Sequence, residues 1–453
     1  MKDMATFQAL NRFGLGPAPG EAAAVATDPR GWVTAQIRSA EIPAALTRFA
    51  GSADILVAIQ TARMRGRDDL RKETLKAYRR AFTTELVSRA GVMIGSPAPF
   101  AERMVVFWSN HFTVSNTKPI IGPAIPAYER EAIRPHVFGS FSDMLKAVVR
   151  HPVMLSYLDN IASIGEGSRV GQRRRRRTGA QKTLNENLAR EILELHTLGV
   201  NGGYSQQDVI ELAKALSGWS RGGLRPKFEN KPVHGDFEYR AAFHEPGPKT
   251  VLGKTYAENG AQEGLDILDD LARHPSTARF IATKLARHFV SDTPPENTID
   301  ALASAFQESD GDLAHVSHAV VELDETWNEP LSKVKSHYEF IVSAHRAMGN
   351  PKVRARDLLV PLREMAQVPF TAPSPAGWGD LAQDWVAPEA LMRRIEWVRR
   401  YATRAAANLV PAQMLDDLIG PVAHDAVRLE VHRAATSEDA LAMILASSEF
   451  QRR

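Results

Sequence analysis

Polar side chains recur within one stretch of the chain at spacings that place them on one face of a helix. At about 100° per residue, leucine, isoleucine and alanine fill one arc of that helix and the polar residues share the other. We call these residues the polar arc, and they are Glu186, Asn187, Arg190, Glu191 and Glu194. Paired carboxylates can serve as general acid and general base when a neighbouring cation sets their pKa values apart. Glu186, Glu191 and Glu194 are therefore candidate catalytic residues, and Arg190 is placed to tune them.

The polar arc is predicted to lie on the first of two consecutive helices, over residues 183–198 and 206–217. Each helix begins with a capping box, in which a hydroxyl residue and an acidic residue three positions later bond to each other's backbone. The two boxes pair Thr183 with Glu186 and Ser205 with Asp208. Gly199 suits the left-handed position that ends the first helix. His196 falls on the apolar arc, so we do not expect it to share a metal with the glutamates.

Several interpretations of the polar arc remain open. The arc could be a binding or catalytic surface, because Asn185 and Asn187 are poor helix formers that solubility does not require. It could be a solvated face with ion pairs four residues apart, or a buried network that braces the two helices. It could also dock a partner chain in a non-catalytic binding or assembly protein.

His111 is a further catalytic candidate, because histidine is the side chain whose ordinary pKa lies near neutrality. It ends a helix predicted over residues 101–111, with aromatic neighbours in the same turn. The alternative is a buried histidine that a backbone carbonyl or a carboxylate satisfies. The candidate substrate-binding residues are Asn185, Asn187, Arg190, Asp208, Trp108 and Arg175.

Five consecutive arginines occupy positions 173–177, within a glycine- and arginine-rich stretch over 163–182 that we predict to be a flexible loop. Arginine binds phosphate, sulfate or carboxylate through two parallel hydrogen bonds, so this loop could close over an anionic substrate. Nucleic acid is not an expected partner, because the formal net charge is only +3 and no wider basic surface or interleaved aromatic residues accompany the arginines.

No cofactor or metal site is predicted. The chain has no cysteine, and its 14 histidines are mostly scattered singly, without the paired spacing of a zinc site. The carboxylates of the polar arc could hold Mg²⁺ or Ca²⁺, but the spaced loop ligands of an EF-hand are missing. Phosphate-binding loops and the nucleophile elbow are also missing, which disfavours nucleotide enzymes and α/β-hydrolases.

Helical periodicity recurs through the 453 residues and predicts a mainly α protein, a large irregular multi-helical single domain over 1–453. One small β-hairpin is predicted, between residues 237–243 and 250–256, and a subdomain boundary is possible near 292–296. No stretch approaches the roughly 18 apolar residues that a membrane span needs. The first residues do not resemble a secretory signal, so we expect a cytoplasmic protein.

The polar segment resembles the signature of a bacterial family called domain of unknown function 1800. The resemblance rests on residues 185–199, 203–209 and 215–219, and extends to 11–14, 107–112, 151–155, 333–335, 339–340 and 448–450. It covers nearly the whole chain, but it implies no established reaction, substrate or cofactor. Many relatives look exported and are associated with a second family similar to alkaline phosphatases and sulfatases, which implies a protein partner of that class.

Together these features favour a carboxylate-dependent hydrolase or lyase that acts on an anionic or sugar-based polymer. The arginine run suggests the anion. Trp378, Trp385 and Trp397 suggest a sugar ring, because they lie in or beside a proline- and glycine-rich segment over 368–383 where they could stack on a ligand. Anchoring that irregular segment in the core is the alternative role for these tryptophans.

Overall fold

The computed structural model describes residues 3–38, 41–64, 68–179, 184–223, 234–406 and 410–453. The mainly α prediction is confirmed. The helices of the first 111 residues are Met4–Gln8, Glu21–Val25, Pro29–Thr34, Ala44–Thr47, Ser52–Met64, Asp68–Gly95 and Pro99–His111. Those of the middle of the chain are Ile125–Tyr128, Phe141–Arg150, Pro152–Tyr157, Arg169–Thr178, Asn187–Glu191 and Gln206–Ala215.

The last part of the chain adds a further helical set. Its helices are Ala261–Arg273, Pro275–Phe289, Glu296–Glu308, Leu313–Glu322, Glu325–Asn328, His337–Ala347, Ala355–Glu364, Pro388–Ala405, Pro411–Ile419, Asp425–Arg433 and Ser437–Ala446. Short 3₁₀ turns are found at Gly122–Ala124, Arg134–His136, Asn160–Ala162 and Ala382–Asp384. Three helices continue into the wider π-helical form, at Ala9–Phe13, Glu129–Ile133 and Ile192–His196.

The buried apolar side chains form two abutting clusters. The first takes its residues from much of the chain up to Trp327, and the second is built mainly from the helices after Tyr338, packed on the end of helix Asp68–Gly95. Helices Pro275–Phe289 and Glu296–Glu308, which flank the predicted boundary near 292–296, both contribute to the first cluster. In the later part of the chain, the two apolar clusters therefore divide between Trp327 and Tyr338.

The predicted β-hairpin is wrong in its pairing. Phe237–Tyr239 pairs antiparallel with Trp219–Arg221, whereas Lys249–Val251 pairs antiparallel with Lys254–Tyr256. The second pair closes through Leu252 and Gly253, whose φ values of 48° and 77° are typical of a tight two-residue hairpin turn. That turn folds the 250–256 segment onto itself, so the segment is not available to residues 237–243.

The run of arginines lies on a helix, which corrects the loop predicted for this stretch. Helix Arg169–Thr178 begins where the Ser168 hydroxyl accepts a hydrogen bond from the Gly171 amide (3.0 Å), and it ends at Gly179 with a φ of 68°. Arginine is a good helix former, and the two caps supply start and stop signals that the charge pattern concealed.

The helix pair is present, although its first helix begins later than predicted. Thr183 lies outside the described residues, and the helix starts at Asn187, whose amide donates to the Asn185 side chain (2.9 Å). The second capping box is confirmed, because Ser205 and Asp208 each accept a hydrogen bond from the other's backbone. His196 is buried, as its place on the apolar arc predicts.

Candidate active site

A cleft of about 260 Å³ opens beside the end of helix Pro99–His111. Helix Pro275–Phe289 forms a second side and the start of helix His337–Ala347 a third. The irregular segment over 367–385 closes the remaining side. Side chains from four separate parts of the chain therefore meet in one concavity, which is where ligands usually bind.

Asn110 holds the irregular segment in place. Its side-chain amide donates to the Trp378 carbonyl (2.9 Å), and its side-chain oxygen accepts from the Trp378 amide (2.7 Å). Gly377 permits this close approach, because its φ is 85° and a Cβ there would lie 2.5 Å from the Asn110 carbonyl oxygen. The Asn110 side-chain amide thus makes the two hydrogen bonds to the Trp378 backbone that a neighbouring β-strand would make.

Lys284 and His111 form a hydrogen-bonded pair in the cleft. The Nε2 atom of His111 lies 3.1 Å from the His196 carbonyl, which can only accept, so Nε2 carries the proton. The Nδ1 atom then accepts from the Lys284 amine at 3.0 Å. Burial lowers the pKa of His111 well below its ordinary value and the Lys284 charge adds to this, which keeps the imidazole neutral.

The Lys284 amine is itself shifted toward its neutral form. Burial lowers its pKa to about 8; the Asp380 carboxylate opposes this effect and the Arg287 guanidinium adds to it. A lysine with such a pKa exists partly as the free amine near neutral pH, and can therefore accept a proton or attack an electrophile.

A second histidine contacts a carboxylate across the cleft. His288 donates from Nδ1 to Asp380 (3.2 Å), while its Nε2 accepts from Arg103 (3.4 Å). Burial lowers the pKa of His288 to about 4 despite the opposing charge of Asp380, so this histidine is also neutral. The pKa of Asp380 is lowered, because its interactions with His288 and with the Lys333 charge outweigh its burial.

The remaining carboxylate of the cleft is committed to cations beneath it. Glu339 pairs with Arg103 and, at 3.3 Å, with Arg453. By contrast, no ion pair joins Lys284 or Arg287 to any carboxylate in the part of the chain that the structure describes. The cleft therefore offers two cationic groups without a carboxylate partner, and this favours an anionic ligand.

Two of the three predicted tryptophans line the cleft. The rings of Trp378 and Trp385 lie 6.4 Å apart. Trp397 instead stacks on Tyr401 at 4.8 Å inside the second apolar cluster. Trp108 is fully buried behind the cleft and packs edge-on against His111, at 5.4 Å between ring centroids. Its contact is with the histidine, which it helps to hold in position.

The polar arc lies outside this cleft. Glu186 accepts hydrogen bonds from Arg190 (3.2 Å) and from Gln206 at the start of the second helix (2.9 Å). These contacts favour the interpretation in which the arc braces the helix pair. Glu191 is half-buried, and its pKa is raised by burial and then by the Glu194 charge, with Arg190 opposing.

The sequence-predicted residues are therefore distributed over several places, and of the ten only His111 lines the cleft. Asn187 is exposed beside the half-buried Asn185. Asp208 caps its own helix and also accepts from the Leu252 amide (2.7 Å). Arg175 is exposed on the arginine helix.

Sequence reasoning missed Lys284, Arg287, His288 and Asp380. The first three share one face of a helix at spacings of three and four residues, which is a weak signal on its own. Their importance comes from His111 and Asp380, which lie 173 and 92 residues away along the chain from Lys284 and His288 respectively. Such proximity is a property of the fold that one sequence does not show.

Two signature segments, 11–14 and 333–335, brace the floor of the cleft. Arg12 donates to the Phe289 carbonyl (3.1 Å) and so caps the end of the helix that carries Lys284. Arg103 donates to the Gly14 carbonyl (2.8 Å), and Lys335 donates to the Asn11 side chain (3.3 Å). The segments that carry the family resemblance therefore support the site from below.

No group of three or more histidine, aspartate or glutamate side chains within the described ranges is arranged to hold a metal ion. Among the helices that the structure describes, none is both long and apolar enough to cross a membrane.

The fold and cleft define a mainly α-helical protein with a cationic concavity, which the signature segment 107–112 lines and the segments 11–14 and 333–335 brace. The family model described as "Protein of unknown function (DUF1800)" matches residues 8–452, and the chain belongs to this family. The resemblance seen in the sequence is thus confirmed over nearly its full length. Comparisons with curated proteins and with solved structures find no match.

Proposed function

We propose that this protein is an enzyme that transfers a proton to or from an anionic substrate in the cleft, with Lys284 as the acid–base residue. The observation that carries the proposal is the 3.0 Å contact between the Lys284 amine and the neutral His111 ring, in a cleft where no described carboxylate forms an ion pair with Lys284. We thereby assign the acid–base centre to the Lys284–His111 pair, and a bracing role to Glu186 of the polar arc.

The geometry suits a base that stays oriented in both protonation states. After Lys284 loses a proton, one of its remaining N–H bonds still donates to His111, and its lone pair is free to face a substrate. Arg287 follows three residues later on the same helix face and can bind the anionic group. Binding the anion offsets the Arg287 charge, which raises the pKa of Lys284 and makes it a stronger base.

Elimination fits this cleft better than hydrolysis by two carboxylates. Glycoside hydrolysis commonly needs an acid and a base or nucleophile, both carboxyl groups, about 5 to 9.5 Å apart across the bond. The cleft carboxylates Glu339 and Asp380 are already paired, with Arg103 and His288. A single base beside Arg287, which has no carboxylate partner among the described residues, instead suits elimination: Lys284 takes the proton next to a substrate carboxylate, and the glycosidic oxygen leaves from the adjacent carbon as the double bond forms. The Lys284 ammonium can then return the proton to that oxygen. The Trp378 and Trp385 rings can support a sugar of that kind.

The proposal is tested with a panel of uronate-containing oligosaccharides, following the new carbon–carbon double bond by ultraviolet absorbance. General base catalysis is typically worth about 10²- to 10⁴-fold, so Lys284→Met should lower kcat by that factor while the protein still unfolds in one cooperative melting transition. The control Lys254→Met removes an exposed lysine of the small hairpin and should leave kcat unchanged. Full activity in Lys284→Met, together with loss of activity in Glu191→Gln, would move the catalytic centre to the polar arc.

A further inference from the structure

The arginine helix Arg169–Thr178 projects from the body of the protein. Every residue from 172 to 179 is exposed, so this part of the helix has no buried face. The helix is attached at its beginning, where the Val170 amide donates to the Ala242 carbonyl (3.1 Å) and the Gly165 amide to the Phe243 carbonyl (2.8 Å). It therefore leaves the surface as a short arm with one fixed end.

The arm carries a large uncompensated charge. No ion pair joins the arginines at 173–177 to any acidic residue in the described ranges. Arginines at 169, 173 and 177 follow each other at i,i+4, and those at 173 and 176 at i,i+3, so like charges repel along the helix. A helix that is polar on all sides and lacks opposite-charge pairs gains little stability by itself. A polyanion would remove the repulsion and stabilise the arm.

The angular distribution of the charges indicates the shape of that polyanion. Steps of about 100° spread five consecutive arginines around the full circumference of the helix. A flat membrane surface could meet only part of such a set, and the exposed part of the arm has no apolar residue to insert into lipid. A groove with phosphates on both walls could contact all five arginines.

We propose that the arginine helix binds duplex DNA. The helix lies in the major groove, and its arginines contact the phosphates of both strands. The groove is about 12 Å wide and admits an α-helix, and guanidinium groups bind phosphate oxygens through paired hydrogen bonds. Phosphate contacts do not read the base sequence, so binding is non-specific. The small net charge of the whole chain argues against a nucleic-acid partner, but the structure concentrates cations on one protruding element.

Fluorescence anisotropy with a labelled random-sequence DNA duplex tests this site on the full chain. If all five arginines contact phosphates, the slope of log K against log salt should be about −4.5, or roughly 500-fold weaker binding at 200 mM than at 50 mM salt. Replacing residues 173–177 by glutamine should abolish most of the binding and the slope. The matched control removes five exposed arginines elsewhere, Arg79, Arg80, Arg363, Arg399 and Arg433, and should bind like the wild type.

Each other outcome overturns the proposal. Equal loss in both variants would show general electrostatic attraction, and no binding at 50 mM salt would exclude the site. Tighter binding to duplex RNA, to polyglutamate or to phosphatidylserine vesicles would assign the arm to a different partner. The melting curve of the 173–177 variant should match the wild type, because residues 172–179 are all exposed. The control should also match, because its five arginines are exposed and make no ion pair within the described ranges.

Discussion

The pKa of Lys284 gives the sharpest test of the cleft chemistry. With a pKa of about 8, roughly a tenth of the amine is neutral at pH 7, whereas an ordinary lysine at 10.5 is neutral in only about 0.03% of molecules. The ratio of about 300 between the neutral fractions is the upper limit of the expected advantage in reaction with a neutral acylating reagent, because an amine of lower pKa is intrinsically less nucleophilic. Competitive acetylation at a series of pH values, read out for each lysine by mass spectrometry, measures this midpoint.

Two neighbouring charges should move the Lys284 midpoint in opposite directions. Asp380→Asn removes the charge that favours the ammonium form, so the pKa should fall further. Arg287→Gln removes a repelling cation, so the pKa should rise. Exposed Lys254 serves as the internal reference in every sample. A Lys284 midpoint equal to that of Lys254, or one that neither substitution moves, would refute the argument from burial and charge.

Three further predictions concern stability. Asn110→Ala removes two hydrogen bonds to the Trp378 backbone and should lower the free energy of unfolding by about 1 to 3 kcal/mol in urea titrations. The pKa of Glu191 is raised in the folded protein, so its contribution to stability falls as pH rises above about 4.5. The Glu191→Gln variant should therefore melt at or above the wild-type temperature at pH 7. The melting temperatures of the variant and the wild type should converge at lower pH. The pKa values of His288 and His196 are lowered to about 4 and about 3, so both residues bind fewer protons in the folded protein than in the unfolded chain. The melting temperature should therefore fall as the pH drops from 6.5 toward 4. A melting temperature that stays constant over this pH range would contradict the prediction.

The sequence predicts the helices well because their signals are local. The helix predicted over 141–149 is found at Phe141–Arg150, and the one over 260–273 is found at Ala261–Arg273. Apolar spacing and caps act within a few residues, so they can be read without knowing the fold. The strand pairing failed because residues 237–239 find their partner on the far side of a long connection.

The candidate site could be predicted only in part, for a similar reason. His111 was identified from its side chain alone, but its partner Lys284 lies on a helix that only tertiary packing brings near it. The predicted positions of the polar-arc residues also depend on a regular α-helix, whereas the turn from Ile192 onward is π-helical. Glu194 therefore does not keep the angle to Glu186 that a repeat of 100° per residue gives.

The π-helical turns position individual groups by adding one residue to a helical turn. A π turn holds one residue more than the α-helical hydrogen-bond pattern requires, and each of the three delivers a group that the cleft uses. The turn Ala9–Phe13 delivers Arg12, which caps the helix of Lys284, and Ile192–His196 delivers the carbonyl that fixes the proton on His111. The turn Glu129–Ile133 delivers the Glu129 carboxylate, which accepts a hydrogen bond (2.8 Å) from Arg89, a further side chain that lines the cleft. Deleting a single residue from any of these turns would restore a regular helix and misalign the group it delivers. The extra residue in each of these three turns thus sets the position of one group relative to the helix that carries it.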